Sequence, residues 1–219
     1  MCADNTALIA PSASAMQQLL AHCENFASKY DMVFNVKKTK CIVMKPHCLI
    51  GSEDHDLYLS SKRIDYVTQY KYLGVIISAD NNDDREISKQ CCNLYARGNT
   101  LVRNFKHCTI DVKCKLFKAF CSNFYCLPLW RKFNISTMSH VKVAYNRVFR
   151  KLFALNHRYS VSQELLSRDI DPFPVIIRKS VFQFKSRLSS TRNALITNVF
   201  NSVHFLSSKT NLHWNALLY

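Results

Sequence analysis

MCADNTALIAPSASAMQQLLAHCENFASKYDMVFNVKKTK, residues 1–40, sets the reading of the whole chain. Ala3-Asp4-Asn5 reads as a tight polar turn, and Ala7-Leu8-Ile9-Ala10 as an apolar run of strand length. Pro11 and Ser12 stop that run. Ser14 then suits the cap of a helix to about residue 30, because Met16, Leu19, Leu20, Cys23, Phe26 and Ala27 follow the helical repeat. Met32-Val33-Phe34-Asn35-Val36 is rich in β-branched and aromatic residues and predicts a strand. Lys37, Lys38 and Lys40 crowd the turn before a further strand, Cys41-Ile42-Val43-Met44. A carboxylate at a hairpin tip backed by a helix can place a metal at a sheet edge.

Farther on, residues 46–56 form a polar loop, and Leu57-Tyr58-Leu59 pairs with 64–67 through the turn Ser60-Ser61-Lys62-Arg63. Tyr70-Lys71-Tyr72-Leu73-Gly74-Val75-Ile76-Ile77 is an apolar strand with one glycine, which permits close backbone approach or a bulge. Ser78 to Asp84 is polar and turn-rich, with an Asp/Asn cluster suited to helix capping and linker duty. From there helices are expected over about 84–105, 110–124, 137–155, a short one to 166, then 175–188 and 191–205. The last residues, 207–219, read as a loose tail. The fold class is therefore α+β: a small sheet with one packed helix over 1–79, then an all-α bundle over 80–206.

Charge divides at the same place. Residues 1–84 hold 8 Lys+Arg against 10 Asp+Glu, and residues 85–219 hold 22 against 5, giving −2 and +17 of the total +15. A half so short of acids points to a polyanionic partner, nucleic acid first, though lysines also solubilise helical surfaces. Lys142, Arg147, Arg150 and Lys151 make a basic stripe on the third helix of this half, and Tyr145 and Phe149 fit its core face. No apolar run reaches the roughly 18 residues of a membrane span. No basic leader precedes Asp4, so an intracellular protein, cytoplasmic or nuclear, is expected. The ten cysteines include no CxxC pair and no zinc-finger spacing, and read as small reduced apolar groups.

Several of these stretches resemble reverse transcriptases of non-LTR (LINE-like) retrotransposons. In that family a Tyr-Ala-Asp-Asp box is followed by an apolar strand, a Leu-rich helix and a Phe-Asn-x-x-Lys-Thr motif. Here the box position reads Cys2-Ala3-Asp4-Asn5, and Phe34, Asn35, Lys38 and Thr39 keep the second motif. Tyr70, Lys71, Tyr72, Leu73 and Gly74 match the hairpin called the primer grip, and Lys142 to Arg150 and Arg178 to Phe184 are similar to the helical region after the palm.

The resemblance implies the end of a palm followed by a thumb, binding RNA–DNA or primer–template duplex. It also implies chemistry through Mg²⁺ or Mn²⁺, two ions clamping the attacking 3′ oxygen and the leaving phosphate. Lys38 would offset charge on the pyrophosphate. Asp4 matches the first box aspartate and a metal ligand, but Asn5 offers a neutral amide where the second stands. The other metal-binding aspartate and the fingers lie before this box in the family. The expectation is a truncated enzyme, inactive alone and holding no ion tightly. The alternatives are a non-catalytic nucleic-acid-binding module and a non-functional relic.

Overall fold

The computed structural model describes residues 6–44 and 56–218. It divides into two compact units, Met1–Asn82 and Asp83–Tyr219. The fold class is α+β, with short strands in the first unit and helices filling the second.

In the first unit, α1 spans Ala13–Lys29, and its cap is Ser12 rather than Ser14: the Ser12 hydroxyl accepts the Ala15 N–H at 3.2 Å. At the other end Asp31 turns left-handed (φ 51°), and the Met32 N–H returns to the Ala27 carbonyl at 2.9 Å. That six-to-one closure is the Schellman stop, here with Asp in place of the usual glycine. Leu20 on α1 packs with Leu57, Leu59 and Ile64, and Phe34 and Tyr66 lean on the same cluster.

The strands are shorter and pair differently from the sequence expectation. Residues 7–10 and 32–36 form no ladder among the described residues. β1 is only Lys40–Cys41, and it pairs in parallel with β4, Asp65–Tyr66. β2 (Tyr58–Leu59) and β3 (Lys62–Arg63) make the expected hairpin, but through Ser60-Ser61 alone. Both serines have positive φ (51° and 58°), the backbone that a two-residue type I′ turn requires. β5 (Gln69–Tyr72) and β6 (Val75–Ser78) form the third pair, so the small sheet expected is three separate two-stranded ladders among the described residues. Part of 32–36 is committed locally: the Asn35 and Val36 carbonyls accept N–H groups of Lys38 and Thr39 in the turn described below, and the Met32 N–H returns to the Ala27 carbonyl.

Unpaired strand edges invite pairing with other chains, and α1 covers one of them. The Gln17 amide both donates to the Tyr58 carbonyl and accepts the Tyr58 N–H, each at 2.9 Å, and Glu24 accepts the Ser60 N–H.

The second unit contains α2 (Asp84–Asn104), α3 (Ile110–Cys121), a 3-10 turn (Leu127–Leu129), α4 (Ile135–Leu152), α5 (Val161–Ser167), α6 (Phe173–Ser189), α7 (Ala194–Phe200), α8 (Val203–Leu206) and α9 (Lys209–Leu218). Ile87, Leu94 and Leu101 of α2 meet Val141, Tyr145, Val148 and Phe149 of α4 in one core, with Phe117 of α3 edge-on to Tyr145 and Phe149. Val112 and Phe120 of α3 are exposed. The Asp83 carboxylate does not cap its own helix. It accepts the N–H groups of Arg131 and Lys132 at 2.7 and 2.8 Å and so ties the start of α2 to the chain before α4. Residues 209–218, within the tail expected to be loose, form α9 and bury Trp214.

The approach of α2 to α4 requires glycine. A Cβ built on Gly98 would lie 2.3 Å from Cγ1 of Val148, and valine is stiff at χ1. Alanine normally stabilises a helix over glycine by about 1 kcal/mol, but overpacking a fitted core costs about 1–3 kcal/mol. Gly98→Ala is therefore expected to lower stability in urea titration, and Val148→Ala added to it should recover part of the loss. A gain in stability from Gly98→Ala alone would contradict the fit.

Candidate nucleic-acid interface

The Phe-Asn-x-x-Lys-Thr stretch is a self-contained turn. Asn35 Oδ1 accepts the Lys38 N–H at 3.2 Å, and the Asn35 carbonyl accepts the N–H groups of Lys38 and Thr39, both at 3.0 Å. The Thr39 hydroxyl donates to the same carbonyl at 3.0 Å. Asparagine and threonine are therefore needed by the backbone itself, since an Asx turn uses a side-chain oxygen as a backbone substitute. Phe34 is half-buried against the small core, and Lys38 is left pointing its ammonium to solvent.

The second motif folds back rather than running on as one strand. The chain reverses at Leu73 (φ 46°) and Gly74 (φ 87°), which place Tyr72 opposite Val75 and Tyr70 opposite Ile77. Tyr70 and Tyr72 share one face of this hairpin, while Lys71 lies on the other. The Tyr70 hydroxyl donates to the Lys38 carbonyl at 3.2 Å. That bond brings together two of the residues singled out in the sequence, in segments 32 positions apart. Asp4 and Asn5 lie outside the described residues, as does most of the 46–56 loop.

Leucine in the left-handed region is disfavoured, by roughly 1–2 kcal/mol, because its Cβ crowds the carbonyl. Leu73 sits there at the hairpin tip and is 60% exposed, so little burial offsets the cost. Leu73→Asn is expected to stabilise the first unit by about 1 kcal/mol, since asparagine tolerates this conformation. Denaturant midpoints check it, and an unchanged or lower midpoint would show that Leu73 packs more than its exposure indicates.

Neighbouring charges are partly committed. The Lys40 ammonium lies 2.5 Å from Asp65 and, by hydrogen bond and charge, holds that carboxyl below its usual range. Lys37 and Lys38 are exposed.

In the second unit the four residues of the expected stripe do not act alike. Arg147, Arg150 and Lys151 share the outward arc of α4, but Lys142 and Lys151, nine residues apart at roughly 100° each, fall on opposite flanks. The Arg150 guanidinium is spent on two carbonyls, Asn156 at 2.7 Å and Tyr159 at 2.8 Å, where it closes the loop before α5. Lys151 donates to Asn99 Oδ1 of α2 at 2.9 Å. Arg168 is likewise withdrawn, bound to Glu164 and stacked 5.0 Å from the Phe153 ring. By contrast Lys106, Lys115, Lys142, Arg147, Arg178 and Arg192 are exposed and hold no side-chain hydrogen bond or ion pair among the described residues. Their charges are free for an anionic partner. Composition revealed that such a set exists, but only loop closure shows which members are occupied.

Among the described residues no group of three or more His, Cys, Asp or Glu is placed to hold a metal ion, and no helix is long and apolar enough to cross a membrane. Neither a family model nor a curated protein nor a solved structure matches the chain.

Proposed function

We propose that the chain is the palm-end and thumb portion of a reverse transcriptase of the non-LTR type, and that these residues bind primer–template duplex without extending it. The Tyr70–Lys38 bond carries the reading. It supports treating the Asn35–Thr39 turn and the 69–78 hairpin as one unit, the arrangement needed for a lysine and a primer-holding hairpin to serve the same nucleic-acid end. The basic second unit supports the same partner, because its uncommitted lysines and arginines suit contacts to phosphates. The working compartment is then intracellular, cytoplasmic or nuclear.

Catalysis is a different matter. A two-ion centre for Mg²⁺ or Mn²⁺ needs several carboxylates, and the box here offers Asp4 and the neutral amide of Asn5. That donor set does not fit a two-ion centre.

Primed RNA template, nucleotides and either divalent ion should give no extension, and template-dependent extension would overturn the inactive assignment. Duplex binding followed by fluorescence anisotropy should weaken by about 10³-fold or more between 50 and 200 mM salt if at least six phosphates are contacted. Absence of binding at low salt would sink the reading.

A further inference from the structure

A cavity of about 210 Å³ opens between α3, the 3-10 turn and α6 of the second unit. Its floor is apolar: Phe124 and Leu127 are buried, and Ile176 is 9% exposed. Its walls carry the amides of Asn123 and Gln183 and the hydroxyl of Ser180, none of which has a side-chain hydrogen bond among the described residues. The Asn123 main-chain carbonyl accepts from Arg97 at 3.0 Å, which fixes the backbone that carries the free side-chain amide. Lys118 and Lys179, from different helices, also line it, together with the Asp171 carboxylate. Each leans on an aspartate, Asp169 at 2.8 Å and Asp171 at 2.6 Å, and Asp169 is almost fully exposed. Surface pairs of this kind are weak, so either lysine can move to a stronger anion.

An apolar floor, free amides that both donate and accept, and mobile cations in the lining match one chemical class. We propose that this cavity holds a single unpaired nucleobase of a bound strand, with Lys118 and Lys179 taking its phosphate. The volume is below the roughly 300–1,000 Å³ of ordinary small-molecule sites, which favours one ring system over a whole triphosphate. The base packs on Phe124 and Leu127, and Asn123 and Gln183 address its edge. This inference rests on the nucleic-acid reading above and adds to it an unpaired strand end.

The test compares the full chain with Asn123→Ala/Gln183→Ala, both exposed positions, on a blunt duplex and on one with a short single-stranded overhang. The overhang should improve binding about tenfold, the range of base–aromatic contacts, and the double variant should erase that advantage while leaving the blunt duplex unaffected. Adenosine and uridine monophosphate should shift the amide resonances of Asn123 and Gln183, and inorganic phosphate alone should not. Equal affinity for blunt and overhanging duplex, an advantage that survives the double variant, or equal shifts from phosphate alone would each overturn the pocket assignment while duplex binding stands. Loss of all duplex binding at low salt would instead remove the proposed function, with the mononucleotide shifts still deciding the pocket.

Discussion

Replacing Trp214 by alanine is expected to remove about 3–5 kcal/mol of the second unit's stability, the usual cost of emptying a buried aromatic site. The indole is only 3% exposed, although it lies in the last turns of the chain. Its Nε1–H donates to the Pro128 carbonyl at 2.8 Å, which anchors α9 to the 3-10 turn. Phe184 of α6 and Phe205 of α8 stand edge-on to it, with centroids 5.7 and 5.9 Å away. Lys185 adds a bond to Asn215 at 2.6 Å. Trp214→Phe keeps the ring contacts and strands one carbonyl, so it should cost less, about 1–3 kcal/mol. Leu212→Ala on the same helix, 58% exposed, should fall within about 0.5 kcal/mol of the parent. Urea titrations followed through Trp130, the other of the two tryptophans, report this unit in every variant. Equal midpoints for the Trp214 and Leu212 variants would mean that α9 is not docked.

The second large effect is a loss of stability in alkali. Burial pushes the Cys121 thiol up to about 11 from an ordinary 9.0, with only the Arg97 charge opposing it. Burial raises the Tyr145 phenol as well; its hydroxyl meets Ser122 at 3.2 Å and donates to the Asp171 carbonyl at 2.8 Å. Both groups are neutral when protonated, and the unfolded chain gives up these protons first. Their contribution is therefore complete below the unfolded values, near pH 9 for the thiol, and is lost as pH rises toward the folded values. Two units for Cys121 correspond to roughly 2.7 kcal/mol at about 1.36 kcal/mol each. Midpoints measured at pH 8, 9 and 10 should decline, and Cys121→Ala should decline less over the same range, from a lower start. A slope unchanged by that substitution would assign the alkaline loss to other groups.

Helices were legible in the sequence because their information is local. Apolar spacing placed α2, α4 and α6 to within a few residues, and it put Tyr145 and Phe149 on the core face of α4. The motif residues were legible too, though the sequence did not say why Asn35 and Thr39 are there; the turn bonds do. Strands fared worse, since a strand exists only when a distant segment offers matching donors and acceptors. Ala7 to Ala10 has the composition of a strand and, among the described residues, no partner, while Lys40–Cys41 found one in Asp65–Tyr66.

By itself, then, the sequence determined the α+β order, the helical faces, the charge split and the two motifs of the first unit, all of which rest on neighbouring residues. Tertiary structure alone decided that Tyr70 reaches Lys38 and that Arg150 is spent on carbonyls. It also decided that the final helix docks through Trp214, and that Lys118 and Lys179 line one cavity with Phe124 and Leu127. Apart from the Arg150 closure, which spans six and nine residues, each depends on groups far apart in the chain coming together, and no local pattern encodes that approach.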